Sequence, residues 1–244
     1  MYHTLTIAHR GASGEAPENT LAAFQLAIEQ KSDGIELDVH LSADGQIIVC
    51  HDATIDRTTD GTGRIAEMTL EQLKLADAGS WFSESFKGER LPTLDEVFEL
   101  VPELIMINIE VKHALSEAQS IVEPLVECLR RHNRIQSVVV SSFDHLTLVK
   151  VKEACPETKI GLLYKGSVTD HTGFARSFPY PVYSLHPYFA EIDAEAIRDA
   201  IEHGIQVYAW TINQPVYIEQ MVKHGVSGII SDYPTRVNNI ARKC

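Results

Sequence analysis

The stretch TLTIAHRGASGEAPENTLAAFQLAIEQKSDGIELDV, residues 4–39, decides the fold. A β-type run at 4–8 is followed by a segment with helical apolar spacing and then by a second β-type run at 34–39. Strand, helix and strand in this order read as a parallel βαβ unit. The turn after the first run, His9-Arg10-Gly11-Ala12-Ser13-Gly14, lacks the GxGxxG pattern, so a dinucleotide-binding sheet loses its usual support. The alternation then continues, with further strand-type runs at 104–111, 137–141, 159–163, 182–185, 206–210 and 228–231. Eight such units predict a closed (β/α)8 TIM barrel rather than an open doubly wound sheet.

Helix starts punctuate the runs. Thr93-Leu94-Asp95-Glu96 has the form of a capping box, and Asp144 and Asp193 each precede an apolar-periodic segment. One region breaks the repeat. After the second strand, Ser42-Ala43-Asp44-Gly45 and the run 46–50 predict that the chain turns back as a β-hairpin. Residues 52–90 then carry an Asp60-Gly61 turn, a short helix capped by Thr69 with Gln72, and the aromatics Trp81, Phe82 and Phe86, expected to form a small core. We read the whole chain, 1–244, as a single barrel domain with an insertion at about 52–90.

A formal net charge of -13 disfavours a nucleic-acid partner or stable membrane association, since both need clustered Lys and Arg. A small molecule is the expected partner. The start MYHTLTIAHRG has no signal-peptide pattern and no stretch approaches a membrane span, so a cytoplasmic protein is expected. Cys50, Cys128, Cys155 and Cys244 are scattered without metal-site spacing and read as free thiols.

In such barrels the C-terminal strand ends line the active site. They supply His9 and Arg10 from the first strand, Glu36 and Asp38 from the second, and Asn108, Glu110 and Lys112 from the third. Strand alternation places Glu36 and Asp38 on one face, and likewise Asn108, Glu110 and Lys112. Three carboxylates converging at one mouth repel one another unless a cation neutralises them. An all-oxygen set suits a hard divalent ion such as Mg²⁺ or Ca²⁺, so Glu36, Asp38 and Glu110 are the candidate metal ligands. If the hairpin turn holds two residues or four, His51 falls opposite Asp38 or Glu36 and flanks the same cluster from the side away from His9. A loop of odd length flips that face. With the even register, His9 and His51 flank the cluster from two strands as a general acid and a general base; coupling of His51 to the nucleophile points to His9 as the acid, but the residues leave open which is which. Ser141 and Ser142 have no nearby base, His40 is expected to face away from Asp38 as a scaffold or surface residue, and His186 and Phe143 are read as bordering the pocket. Glu18 and Asn19 open the first helix, as caps or as contacts to Arg10.

In this order and spacing, His9-Arg10-Gly11-Ala12, Pro17-Glu18-Asn19-Thr20, Glu36-Leu37-Asp38-Val39, His51-Asp52, Leu91-Pro92-Thr93-Leu94, Ile109-Glu110-Val111-Lys112, Tyr208-Ala209-Trp210-Thr211 and Ser231-Asp232-Tyr233-Pro234 resemble the glycerophosphodiester phosphodiesterase pattern over essentially the whole chain. The resemblance implies a barrel with a small insertion after His51-Asp52, one divalent cation, and cleavage of glycerophosphodiesters to glycerol 3-phosphate and an alcohol. It further implies His9 and His51 as the acid/base pair, Glu36, Asp38 and Glu110 on the metal, Arg10 and Lys112 on phosphate, and Trp210 against the glycerol carbons. Two rivals are a phospholipase D-like cleavage of lysophospholipids on the same scaffold and a non-catalytic binding barrel. The first needs an apolar approach for acyl chains; the second needs damage to the His and carboxylate set, which is intact.

Overall fold

A computed structural model describes residues 4–112 and 121–242. Eight parallel strands close on themselves: β1 (Leu5–His9), β2 (Gly34–Leu41), β4 (Met106–Val111), β5 (Val138–Ser142), β6 (Lys159–Tyr164), β7 (Ser184–Pro187), β8 (Gln206–Ala209) and β9 (Gly228–Ser231). Each pairs with the next in the ring, and β1 joins both β2 and β9, so no barrel strand keeps a free edge. This is the (β/α)8 TIM barrel expected. The helices that follow the strands are α1 (Leu21–Glu29), α3 (Leu94–Leu100), α4 (Val122–Arg131), α5 (His145–Ala154), α6 (His171–Arg176), α7 (Ala194–Glu202), α8 (Pro215–His224) and α9 (Pro234–Ala241).

The expected helix starts are present. Thr93 and Glu96 exchange side-chain and backbone hydrogen bonds in a capping box, as do Thr69 and Gln72 ahead of α2 (Leu70–Leu73). Asp144 and Asp193 accept from the first-turn amides of α5 and α7. The strand alternation divides the barrel into two environments. On β2 and β4, Ile35, Leu37, Val39, Ile107, Ile109 and Val111 pack with Phe24, Leu94 and Leu125 in the layer between barrel and helices. The intervening Glu36, Asp38, Asn108 and Glu110 are buried on the other face. Ile7, Tyr208 and Ile230 close the interior as an apolar floor. His9, Trp210 and Asp232 lie two residues further along the same chain directions, and so above it.

The hairpin forms, but with the other parity. The strand β3 (Ile47–Val49) pairs antiparallel with β2 through Val39 opposite Val49, which leaves a five-residue connection, Ser42 to Gln46. Ser42 N donates to Gln46 O and Gly45 N to Ser42 O, with Gly45 in the left-handed region at φ 79°. An odd loop sets Cys50, not His51, beside Asp38; Cys50 N donates to Asp38 O. The even-register route to His51 therefore fails. His51 nevertheless reaches the mouth because it lies beyond the strand, in a bend free of the pleat.

The segment between β3 and α3 has its own small core of Ile48, Cys50, Ile55, Ile65, Leu73, Ala76, Ala78 and Leu91. The aromatics are not part of it. Trp81, 41% exposed, Phe82 and Phe86 stack edge to face at its margin, and Trp81 Nε1 donates to Ala78 O. Aliphatic side chains thread the interior more tightly than three large rings on a short irregular chain can. Cys50, Cys128 and Cys155 are free, as expected, and Cys244 lies outside the described residues. Among the described residues no helix is long and apolar enough to cross a membrane.

Candidate active site

At the C-terminal mouth of the barrel a cavity of about 110 Å³ is lined by His9, Arg10, Glu36, His51, Asn108, Glu110, Lys112, Phe143, Trp210 and Thr211. The strand register assembles it: His9 lies opposite Glu36, Glu36 opposite Asn108, and Asp38 opposite Glu110. Glu36, Asp38 and Glu110 each bring a carboxylate oxygen within 4.8 Å of the others, all three buried. Lys112 Nζ bridges Asp38 Oδ1 at 2.9 Å and Glu110 Oε1 at 2.6 Å, and Arg10 Nε stands 3.4 Å from Asp38 Oδ2.

Arg10 leaves β1 with φ 54°, and Gly11 follows at φ 80°. A Cβ on Gly11 would stand 2.6 Å from the backbone of Ala23. This turn lets the Arg10 amide donate to Glu36 Oε2 at 3.0 Å while its guanidinium reaches Glu18 Oε1 at 2.8 Å. Thr20, not Glu18 or Asn19, caps α1. Asn19 instead donates to Asp38 Oδ2 at 2.8 Å.

Each imidazole has its own carboxylate. His9 Nδ1 meets Asp232 Oδ1 at 2.6 Å, and His51 Nδ1 meets Asp52 Oδ1 at 2.6 Å. Asn213 and Ser13 hold Asp232 in turn. His9 Nε2 lies 4.0 Å from Glu36 Oε2, at the edge of the carboxylate cluster. His40 does not face away from Asp38 as expected: two residues apart on β2 they share a face, and His40 is buried and bonded to the carbonyl of His51, a scaffold residue. His186 does not line the cavity. It is fully buried, bonded to Ser184 Oγ, and burial depresses it to about 3. Ser142 Oγ donates to Val111 O. Trp210 does line the cavity, fixed by Nε1 donating to His186 O at 2.7 Å and by an edge-to-face contact with Phe143.

The electrostatics favour a cation among the three carboxylates. Burial, with Asp38 and Glu110 nearby, pushes Glu36 well above the usual carboxylate range, and burial with Asp38 pushes Glu110 to about 7 despite Lys112. Asp38 is held low: burial acts to raise it, but Lys112, Arg10 and His51 prevail. Three acids against two basic groups leave negative charge unmatched in a place where each buried ion costs on the order of several kcal/mol. Asn108 Oδ1, buried between Glu36 and Glu110 on the same face, finds no hydrogen-bond partner among the described residues. An all-oxygen donor set with a spare amide oxygen fits a hard divalent ion. One further group, Asp95, Cys128 and His132, lies on α3 and α4 and not on the cavity; its Asp95 Oδ1 is already taken by Arg131 at 2.5 Å and His132 at 2.6 Å.

These shifts set a pH dependence. With carboxyls raised from 4.5 in the unfolded chain to about 7 at Glu110, the metal-free fold holds protons that the unfolded chain has released. It therefore loses stability as pH rises through that window. The depressed imidazoles His51, His171 and His186 act in the opposite sense. The difference in Tm between divalent cation and EDTA removes that background. It should be small near about pH 5 and grow through about pH 7 as the ion replaces protons. A pH-independent difference in thermal scans would contradict the placement of the ion.

A closed barrel whose mouth joins converging carboxylates, two basic side chains and two carboxylate-held imidazoles carries the acid and base groups of a barrel hydrolase. Residues 9–236 match the glycerophosphoryl diester phosphodiesterase family. The chain is 44% identical over 241 residues to the glycerophosphodiester phosphodiesterase of Caldanaerobacter subterraneus subsp. tengcongensis, covering 98% of each chain. It is 31% identical over 256 residues to a Bacillus subtilis glycerophosphodiester phosphodiesterase, covering 98% of this chain and 86% of that one. Among solved structures, a phosphodiesterase from Oleispira antarctica in complex with the product sn-glycerol-3-phosphate superposes with a TM-score of 0.89 at 33% identity, covering 99% of this chain and 98% of that one. The chain belongs to the glycerophosphoryl diester phosphodiesterase family, and it is an enzyme of that class.

Glu18 does contact Arg10, one of the two roles expected for it, and Asp232 does stand at the mouth as a strand-end residue, but the pairing of Asp232 with His9, the pairing of Asp52 with His51, and Arg57 altogether were not anticipated. Asp232 and Asp52 carry a visible signal, an acid at a barrel-strand end and an acid adjacent to a candidate histidine. Arg57 carries none, since its partners are settled only by how residues 50–65 fold.

Proposed function

We propose that this enzyme hydrolyses glycerophosphodiesters to glycerol 3-phosphate and an alcohol, with Glu36, Asp38 and Glu110 holding one Mg²⁺ or Ca²⁺ and His9 and His51 acting as the acid/base pair. The observation that carries this is the convergence of three buried carboxylates beside two imidazoles, each held by its own acid. When bound, the cation would supply positive charge for the phosphoryl oxygens. Arg10 and Lys112 add positive charge that offsets the negative charge growing on the phosphoryl oxygens in the transition state. One imidazole takes the proton of the attacking oxygen as the new P–O bond forms. The other gives a proton to the alcohol oxygen as the old P–O bond breaks. The attacking oxygen is either water or the neighbouring 2-hydroxyl of glycerol, the latter passing through a cyclic phosphate. Trp210 walls the pocket for the glycerol carbons. That the Oleispira antarctica enzyme binds sn-glycerol-3-phosphate supports the same product here.

A panel of glycerophosphodiesters differing in the alcohol tests this. Glycerol 3-phosphate should appear with each active substrate, stop with EDTA, and return with added Mg²⁺ or Ca²⁺. Full activity in EDTA would refute metal dependence, and release of a phosphoalcohol instead would refute the bond assignment. One observation favours the second reading, cleavage of lysophospholipids: Phe143, 50% exposed, continues the apolar wall of Trp210 to the rim. A lysophospholipid in the panel should turn over more slowly than the short diesters; the reverse order would make it the main substrate.

A further inference from the structure

We infer that Arg57 is a positioning residue for catalysis, holding the His51 ring and the Arg10 arm in one rigid frame. This rests on the reading of His51 as a proton carrier. Arg57 belongs to an irregular loop, yet the loop is tightly closed. Ile55 is buried in the small core beside the barrel, Ile55 N donates to Gly63 O, and Thr59 Oγ1 donates to Ile55 O at 2.7 Å. From this frame the guanidinium projects toward the mouth and spends its donors on two carboxylates. Nε donates to Asp52 Oδ2 at 2.6 Å and Nη2 to Asp52 Oδ1 at 3.3 Å. Nη1 donates to Glu18 Oε2 and Nη2 to Glu18 Oε1, both at 2.8 Å.

Each carboxylate passes the constraint inward. Asp52 Oδ1 meets His51 Nδ1, which leaves Nε2 as the ring nitrogen free for the pocket. Glu18 Oε1 also receives Arg10 Nη1 at 2.8 Å. A run of contacts thus joins His51, Asp52, Arg57, Glu18 and Arg10, linking residues 39 positions apart in sequence. Only a planar fork engages two carboxylates edge-on at once, and a lysine ammonium is a point charge. The side chain is 46% exposed, so these pairs add little to stability. Their consequence lies in orientation. His9 is held differently, because its Asp232 is fixed by the neutral donors Asn213 and Ser13. Arg57 is therefore specific to the His51 side of the site.

The test is a double-mutant cycle of Arg57→Ala and His51→Ala, read in kcat with a short glycerophosphodiester. Arg57→Ala should lower kcat by about 10- to 100-fold, the usual cost of losing a group that orients a reacting one. In the His51→Ala background the same change should cost at least about threefold less than in the wild-type background, since the ring is gone and only the Arg10 arm remains to be held. Cation affinity by calorimetry should stay unchanged, because Arg57 touches none of Glu36, Asp38 or Glu110. Guanidinium ion should restore part of the kcat of Arg57→Ala through the solvent-open side, and a smaller part of that of the double variant, where only the Arg10 arm is left to hold. Arg57→Lys should recover less than guanidinium does. An equal loss in both backgrounds, or no loss in the wild-type background, overturns the inference while leaving His51 as assigned. Full activity of His51→Ala alone refutes the reading of His51, and the inference falls with it.

Discussion

His9→Ala and His51→Ala should each lower kcat by about 10²- to 10⁴-fold while leaving the fold and cation binding intact, the range expected for losing one general acid or base. Both rings line the cavity and both are tied through Nδ1 to an acid at 2.6 Å, which leaves Nε2 of each as the nitrogen available for proton transfer. The two losses should separate by leaving group. A p-nitrophenyl phosphodiester releases a stable anion that needs no proton, so the variant lacking the acid should be far less impaired on it. The variant lacking the base should be impaired equally on both substrates. The hairpin parity that favoured His9 as the acid does not hold, and His9 Nε2 lies 4.0 Å from Glu36. The measurement on both variants and both substrates therefore makes the assignment. If neither variant shows a leaving-group-dependent defect, the two-histidine mechanism is refuted.

Glu110→Ala should abolish turnover at ordinary cation concentrations, and chiefly through lost affinity. Removing one of three carboxylates leaves Lys112 paired with Asp38 alone, so the ammonium and an incoming cation compete for the same carboxylate. A hard ion then meets an oxygen site with one charge fewer and a competing ammonium 2.9 Å from a remaining ligand. Excess Mg²⁺ or Ca²⁺ should restore part of the activity. Calorimetry should show the weakened binding directly, whereas unchanged affinity in this variant would remove Glu110 from the ligand set.

The barrel and the acidic strand ends were legible in the sequence because both rest on local periodicity. Strand-helix alternation recurs eight times, and a residue two positions from Glu36 or Asn108 must share its face whatever the surroundings. Capping residues such as Thr93 and Asp193 act within one helical turn, so their neighbours in sequence are their partners in space. The tertiary structure decided what depends on contacts between distant segments. Loop parity in the hairpin follows from how Ser42, Asp44 and Gln46 hydrogen-bond, and one residue more or less reverses the face. Asp232 reaches His9 across 223 positions only because β9 closes the ring against β1. Arg57 finds Glu18 and Asp52 only because Ile55 is drawn into an aliphatic core that excludes the aromatics Trp81, Phe82 and Phe86. Periodicity sets the direction of a side chain along its own element, but packing sets which other element stands in front of it.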